Sequence, residues 1–160
     1  MRNTDETYFY KPSWLPPVTL PSVLNSPTPP DYSLINSPRL QGKRGGIAIL
    51  FRSHLKIETT PLPSFSSFEV LGARLTIAST SCIFITVYRP PSSSKILFSS
   101  EFTTLLETFI SCPSEIIITG DFNFHVDDSQ CPSATHFRDL LETFGLSQLV
   151  SFPTRFWPYS

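Results

Sequence analysis

The segment Glu115 to Asn123, EIIITGDFN, constrains this fold more than any other. Its isoleucines and threonine are β-branched and stiff at χ1, so they favour a short buried strand over a helix. Amphipathic helices are expected on both sides of it. Before it, Phe98, Phe102, Leu105, Leu106 and Phe109 fall at i, i+4, i+7, i+8 and i+11, one helix face. After it, Phe137, Leu140, Leu141 and Phe144 repeat i, i+3, i+4 and i+7, and Gly145 is a plausible stop.

Upstream the chain reads as strands. Residues 32–37 are short, and 47–51 (IAILF) form an apolar run entered through Arg44-Gly45-Gly46. Residues 68–77 alternate with period two, Phe68, Val70 and Leu75 against Glu69 and Arg74, with a bulge expected at Gly72. Residues 82–88 (CIFITVY) read as a central strand closed by Pro90-Pro91. Strands, helix, strand, helix is the pattern of a layered α/β or α+β domain.

The 160 residues suit one domain that buries roughly 70% of its unfolded surface. A 40% apolar, 16% charged composition excludes a highly charged disordered chain. No run approaches the ~18 apolar residues of a membrane span, and no basic start with an apolar stretch follows Met1. The expectation is an intracellular, soluble, unsecreted monomer with no membrane partner. Seven of the 16 prolines lie in the first 30 residues, so residues 11–31 are expected to be a loop. Three cysteines without C-x-x-C spacing, Cys82, Cys112 and Cys131, indicate neither a disulfide framework nor a thiolate zinc site. Charge is uneven: residues 1–100 hold ten Lys/Arg against five Asp/Glu (+5), and 101–160 hold two against eight (−6). A basic face toward an anionic partner and an accident of a small sample both explain that.

The candidate chemistry starts at Gly120-Asp121-Phe122-Asn123. Continued alternation puts Asp121 and Asn123 on one side and turns Phe122 into packing. A carboxylate and a carboxamide so arranged can orient a water and hold a phosphate oxygen, although Asp and Asn are also common turn formers. Tyr88, at the end of the 82–88 strand, presents a phenolic donor at the edge where Asp121 should emerge. Arg44 and Arg89 are candidate phosphate contacts, and a tight turn at Lys43-Arg44-Gly45-Gly46 explains the same letters. His125, Asp127 and Asp128 invite a metal reading, but their spacing is poor for a closed tetrahedral site and a solvated loop is the default.

Taken in order and spacing, RGGIAILF, FEVLGARL, VYRPP, IIITGDFNFHVD and the closing FPT resemble the endonuclease domain of non-LTR (LINE-type) retrotransposons. That domain belongs to the endonuclease/exonuclease/phosphatase superfamily. The resemblance spans roughly residues 4–154. It implies a four-layer α/β sandwich, two β-sheets flanked by helices, and Mg²⁺-dependent (or Mn²⁺-dependent) hydrolysis of a DNA phosphodiester before reverse transcription. Asp121 then resembles the aspartate that orients the attacking water, Asn123 the asparagine that helps hold the phosphate, and Tyr88 the tyrosine that bonds it. Glu6, in Glu6-Thr7-Tyr8-Phe9, resembles the glutamate that binds the metal. One carboxylate plus substrate phosphate suits Mg²⁺, which keeps most of its waters.

There are departures. The family's upstream asparagine strand and its downstream Leu-Asp-Leu-Val and Ser-Asp-His stretches have no counterpart here. The sequence therefore leads one to expect an incomplete four-layer sandwich: residues 1–10 as the remnant of a metal-binding strand end, 11–31 as loop, 32–154 as the partial domain and 155–160 as a divergent tail. The expected function is DNA nicking, weak or absent in so shortened a chain, acting in the nucleus on DNA and once fused to a reverse transcriptase. Whether the chain is an enzyme stays open at this point. The alternatives are a non-catalytic nucleic-acid-binding remnant and another nuclease or phosphatase of the superfamily.

Overall fold

In the computed structural model, the residues described are 28–38, 46–124 and 130–149. Among these residues six strands form two sheets. Strands β1 (Tyr32–Pro38) and β2 (Gly46–Arg52) make an antiparallel pair in which Tyr32 stands opposite Arg52. Strands β3 (Lys56–Thr60), β4 (Glu69–Ile77), β5 (Thr80–Tyr88) and β6 (Glu115–Asp121) make a sheet in the order β3-β4-β5-β6. The first three run antiparallel, and β5 pairs parallel with β6. A parallel neighbour needs a crossover, supplied by helix α1 (Lys95–Glu107). Helix α2 (Pro132–Thr143) follows β6.

Alternation sorts the large sheet into two faces. Ile83, Ile85, Val87 and Ile118 share one buried cluster with Phe98, Phe102, Leu105 and Leu106 of α1 and Phe137 and Leu141 of α2. The intervening residues face the other way, where Leu71 and Ala73 are buried and β2, with Ile47, passes β4 and β5. Among the described residues the order is helices, four-stranded sheet, two-stranded sheet. This is an α/β fold.

Phenylalanine fills the helix-side core. Phe98 lies centrally, with ring centroids of Phe68, Phe102, Phe122, Phe124 and Phe137 at 5.1–6.3 Å. Burying one such side chain stabilises by roughly 1.5–3 kcal/mol, and a well-oriented ring pair adds about 0.5–1.5 kcal/mol. Phe122 and Phe124 belong to the Gly-Asp-Phe-Asn-Phe run, so that run is anchored from below by the core.

Helix ends follow local rules. Ser94 caps α1, its Oγ accepting the Leu97 N–H at 3.4 Å. Helix α2 begins with Pro132, whose missing N–H costs nothing there. It stops at Gly145, φ +70°, where the Gly145 N–H donates to Glu142 O and the Leu146 N–H to Leu141 O, both at 2.9 Å. Those two bonds are a Schellman stop, which demands a left-handed residue.

Two differences from the sequence reading have physical causes. Gly72 is not a bulge: Thr60, Gly72 and Ile85 stand in continuous register. The close approach is to a neighbour: a Cβ there would lie 2.9 Å from Leu62 Cδ1 and 3.2 Å from Thr60 O. Strand β3 was unforeseen, since KIETT is polar and edge-exposed and carries no apolar alternation. Most of the 11–31 loop, and the 1–10 and 155–160 segments, lie outside the described residues.

Candidate active site

The parallel pairing of β5 and β6 places Tyr88 directly opposite Asp121. The antiparallel pairing of β4 and β5 places Glu69 opposite Tyr88. Directly paired residues point to the same face of a sheet, with Cβ atoms about 4.5–5.5 Å apart. Glu69, Tyr88 and Asp121 therefore form one row, half-buried, on the face away from the helices. Carboxyl ends of adjacent parallel strands are where open α/β sheets place their ligands.

The pairing is close at Gly120. Its φ is +144°, and a Cβ there would fall 1.8 Å from the carbonyl oxygen of Val87. Only glycine lets β6 approach β5 this tightly just before Asp121. The ladder runs one step further, with the Arg89 N–H donating to Asp121 O at 2.9 Å.

Asn123 departs from the expected alternation. The strand ends at Asp121, and Asn123 is left-handed at φ +52°. Its N–H donates to Asp121 Oδ1 at 3.0 Å, closing an Asx turn. The two side chains are thus joined by a turn, not by strand geometry. Left-handed backbone is tolerated by Asn better than by most residues, at a cost on the order of 1 kcal/mol. The Asn123 amide donates through Nδ2 to the Arg89 carbonyl at 2.6 Å. Its Oδ1 is buried and has no hydrogen-bond partner among the described residues. Phe122 is packed inward, as alternation predicts.

Arg89 is where the structure differs most from expectation. A direct phosphate contact requires an accessible guanidinium, and this one is 1% exposed. Its Nε donates to Phe122 O at 2.6 Å, Nη2 to Asn123 O at 2.7 Å and Nη1 to Ser93 O at 3.0 Å. The guanidinium carbon lies 4.5 Å from the centre of the Phe124 ring. Burial pulls its pKa below the usual guanidinium value, and the charge of Asp121 acts in the opposite direction. Arg89 serves the turn from inside.

Glu6 and Arg44, with His125, Asp127 and Asp128, lie outside the described residues. Two residues near the site were not foreseen. Glu69 joins the row through β4–β5 register, which sequence alone does not reveal. Lys95 donates to Ser133 Oγ at 2.8 Å and sits 5.8 Å from the Phe124 ring centre, a cation flanking the turn. A groove of about 240 Å³ beside β6 is lined by Ile116, Ile118, Phe122, Phe137, Leu141 and Leu146 among others. It is apolar, lacks Tyr88, Asp121 and Asn123, and offers no chemistry.

Among the described residues no three His, Cys, Asp or Glu side chains converge as a metal site. The donor set at the row is nonetheless all oxygen, with the unpartnered Asn123 Oδ1 beside it. Hard oxygen donors in small number fit a cation that keeps most of its waters and binds phosphate. No helix among the described residues is long and apolar enough to cross a membrane.

Residues 82–160 match a family model described as endonuclease-reverse transcriptase. The match takes in most of β5 together with α1, β6 and α2, and so spans Tyr88, Asp121 and Asn123. No curated protein matches the chain.

Proposed function

We propose that the chain, whose residues 82–160 match the endonuclease-reverse transcriptase family model, is a Mg²⁺-dependent endonuclease that nicks DNA. The observation that carries this is the Tyr88–Asp121 cross-strand pair, with Asn123 turned back onto it. The three side chains offer a carboxylate, a phenol and a carboxamide on one edge. That set suits attack of water on a phosphodiester.

In this mechanism Asp121 accepts a hydrogen bond from the water and draws its proton as the oxygen attacks phosphorus; the P–O bond opposite the incoming oxygen breaks, and the leaving strand-end oxygen takes a proton from solvent. Tyr88 donates its O–H to a non-bridging phosphate oxygen. One N–H of the Asn123 amide is engaged by the Arg89 carbonyl, and the second is left for another phosphate oxygen. Donors aimed at an oxygen that gains charge in the transition state are worth about 10²–10³ in rate each. Bound Mg²⁺ supplies neutralisation of the phosphate charge, with Glu6 as its proposed carboxylate ligand. Arg44 is proposed as a backbone contact to DNA. The observed layers are proposed as part of the superfamily's four-layer sandwich, and a reverse transcriptase as the enzyme that uses the nick.

The test is conversion of supercoiled plasmid to open circles by the purified chain with Mg²⁺, Mn²⁺ or EDTA. Metal-dependent nicking, stopped by EDTA, is expected. DNA retention that weakens with salt but leaves the plasmid intact under every metal would replace the enzyme with a binding module.

A further inference from the structure

Resting on the nuclease reading above, we infer that Arg89 is a positioning residue: from inside the protein it sets where Asn123 stands, and so acts on the substrate phosphate through Asn123 without touching it. Three observations carry this. First, the side-chain donors of Arg89 go to the backbone of the turn and its support: Phe122 O, Asn123 O and Ser93 O at 2.6, 2.7 and 3.0 Å. Second, its own backbone continues the grip, the N–H to Asp121 O at 2.9 Å and the carbonyl receiving Asn123 Nδ2 at 2.6 Å. Arg89 thus touches Asp121, Phe122 and Asn123 in sequence. Third, a buried cation is costly, and among the described residues this guanidinium donates to carbonyl oxygens, with Phe98 and Phe124 rings at 5.7 and 4.5 Å.

What the grip achieves is orientation of an amide. With Nδ2 bound to a carbonyl, the Asn123 side chain cannot flip without setting two oxygens against each other. Its Oδ1 and second N–H are therefore presented one way only. The planar fork of arginine can hold two successive carbonyls, and a lysine ammonium cannot reproduce that geometry. Sequence explains why this residue was misplaced: an arginine between Tyr88 and Pro90 at a strand end looks solvent-facing. The alternation of β5 instead continues through Val87 to Arg89, on the helix side.

The experiment uses the whole chain in five forms: wild type, Arg89→Met, Arg89→Lys, Asn123→Ala and Arg89→Met/Asn123→Ala. Nicking of plasmid under Mg²⁺ is read as kcat and KM separately, and amide exchange at Asn123 is read against Ile85 and Val87. Misplacement of a reacting group costs about 10²-fold in rate. Arg89→Met and Arg89→Lys are expected to lower kcat by about that factor with KM unchanged. The double variant should then be no slower than Asn123→Ala alone, because both changes remove one function. Exchange at Asn123 should quicken at least about tenfold while Ile85 and Val87 stay protected. Losses that multiply in the double variant, a change confined to KM, or exchange that quickens equally in β5 would overturn the assignment. If Arg89→Met does not fold, Arg89→Lys decides by the same readings. A wild-type chain that does not nick would refute the nuclease reading, and the exchange comparison would still decide the positioning role.

Discussion

The loop before β4 is tied to α1 by one carboxylate, and that tie makes a quantitative prediction. Glu101 accepts from Ser66 N–H at 3.1 Å through both oxygens, from Ser66 Oγ at 2.7 Å, from Ser67 N–H at 2.8 Å and from Ser67 Oγ at 2.6 Å. Ser93 Oγ adds a bond to Ser67 O at 2.7 Å. Ser67 is two residues from Glu69, so this clamp also seats the start of the Glu69–Tyr88–Asp121 row. Burial alone would raise the Glu101 pKa, but the serine hydroxyls and backbone N–H groups outweigh it, bringing it from 4.5 down to about 2. Each pKa unit corresponds to about 1.4 kcal/mol, which sets a ceiling of ~3.5 kcal/mol. Glu101 is only partly shielded from water, which reduces that to roughly 1–2 kcal/mol.

A carboxylate with a depressed folded-state pKa stabilises fully above its unfolded value of about 4.3 and loses that contribution as pH falls toward 2. Glu101→Gln removes the charge and turns an amide N–H against the serine donors. Thermal melts at pH 7 should show a loss of about 1–2 kcal/mol, or a Tm lower by about 2–8 °C for a chain of this size. Near pH 2 the gap between wild type and variant should shrink toward zero. An equal gap at both pH values, or none at pH 7, would refute the reasoning.

Other perturbations have equally definite outcomes. Gly120→Ala places a methyl 1.8 Å from Val87 O, so β6 must shift; a loss of more than about 3 kcal/mol in urea unfolding is expected, with nicking gone. Phe98→Ala empties the centre of the aromatic cluster and should cost about 3–5 kcal/mol in the same assay. The three half-buried thiols should differ in alkylation. Ser133 hydrogen bonding lowers the Cys131 pKa, Ser114 lowers that of Cys112, and burial with the Glu115 charge raises that of Cys82. Peptide mapping after brief iodoacetamide treatment near pH 7.5 should find Cys131 and Cys112 labelled before Cys82.

Sequence made much of the fold legible, for reasons that particular segments show. CIFITVY and EIIIT declare strands through β-branching, and the two phenylalanine-rich helices declare themselves through period. Gly145 marked a stop because only a left-handed residue completes the Schellman bonds. What stayed hidden depends on register and depth. Glu69 enters the row only when β4 is set against β5. Gly72 looked like a bulge because close approach of Leu62 cannot be seen in one dimension. Arg89 looked like a surface cation because the burial of a charge is decided by which carbonyls the fold brings beneath it. At Asp121 and Asn123 the observed geometry differs from the one alternation gives. Alternation accounts for Phe122, but the Asx turn and the left-handed Asn123 bring the two polar groups together.

The most direct test of the central claim, that Tyr88, Asp121 and Asn123 form one hydrolytic site, is the initial rate of plasmid nicking under Mg²⁺ for wild type and Asp121→Ala. Removing a group that orients the water and takes its proton should cost about 10²–10⁴-fold, with the variant's melting curve unchanged in cooperativity. Nicking by Asp121→Ala at the wild-type rate would contradict the account.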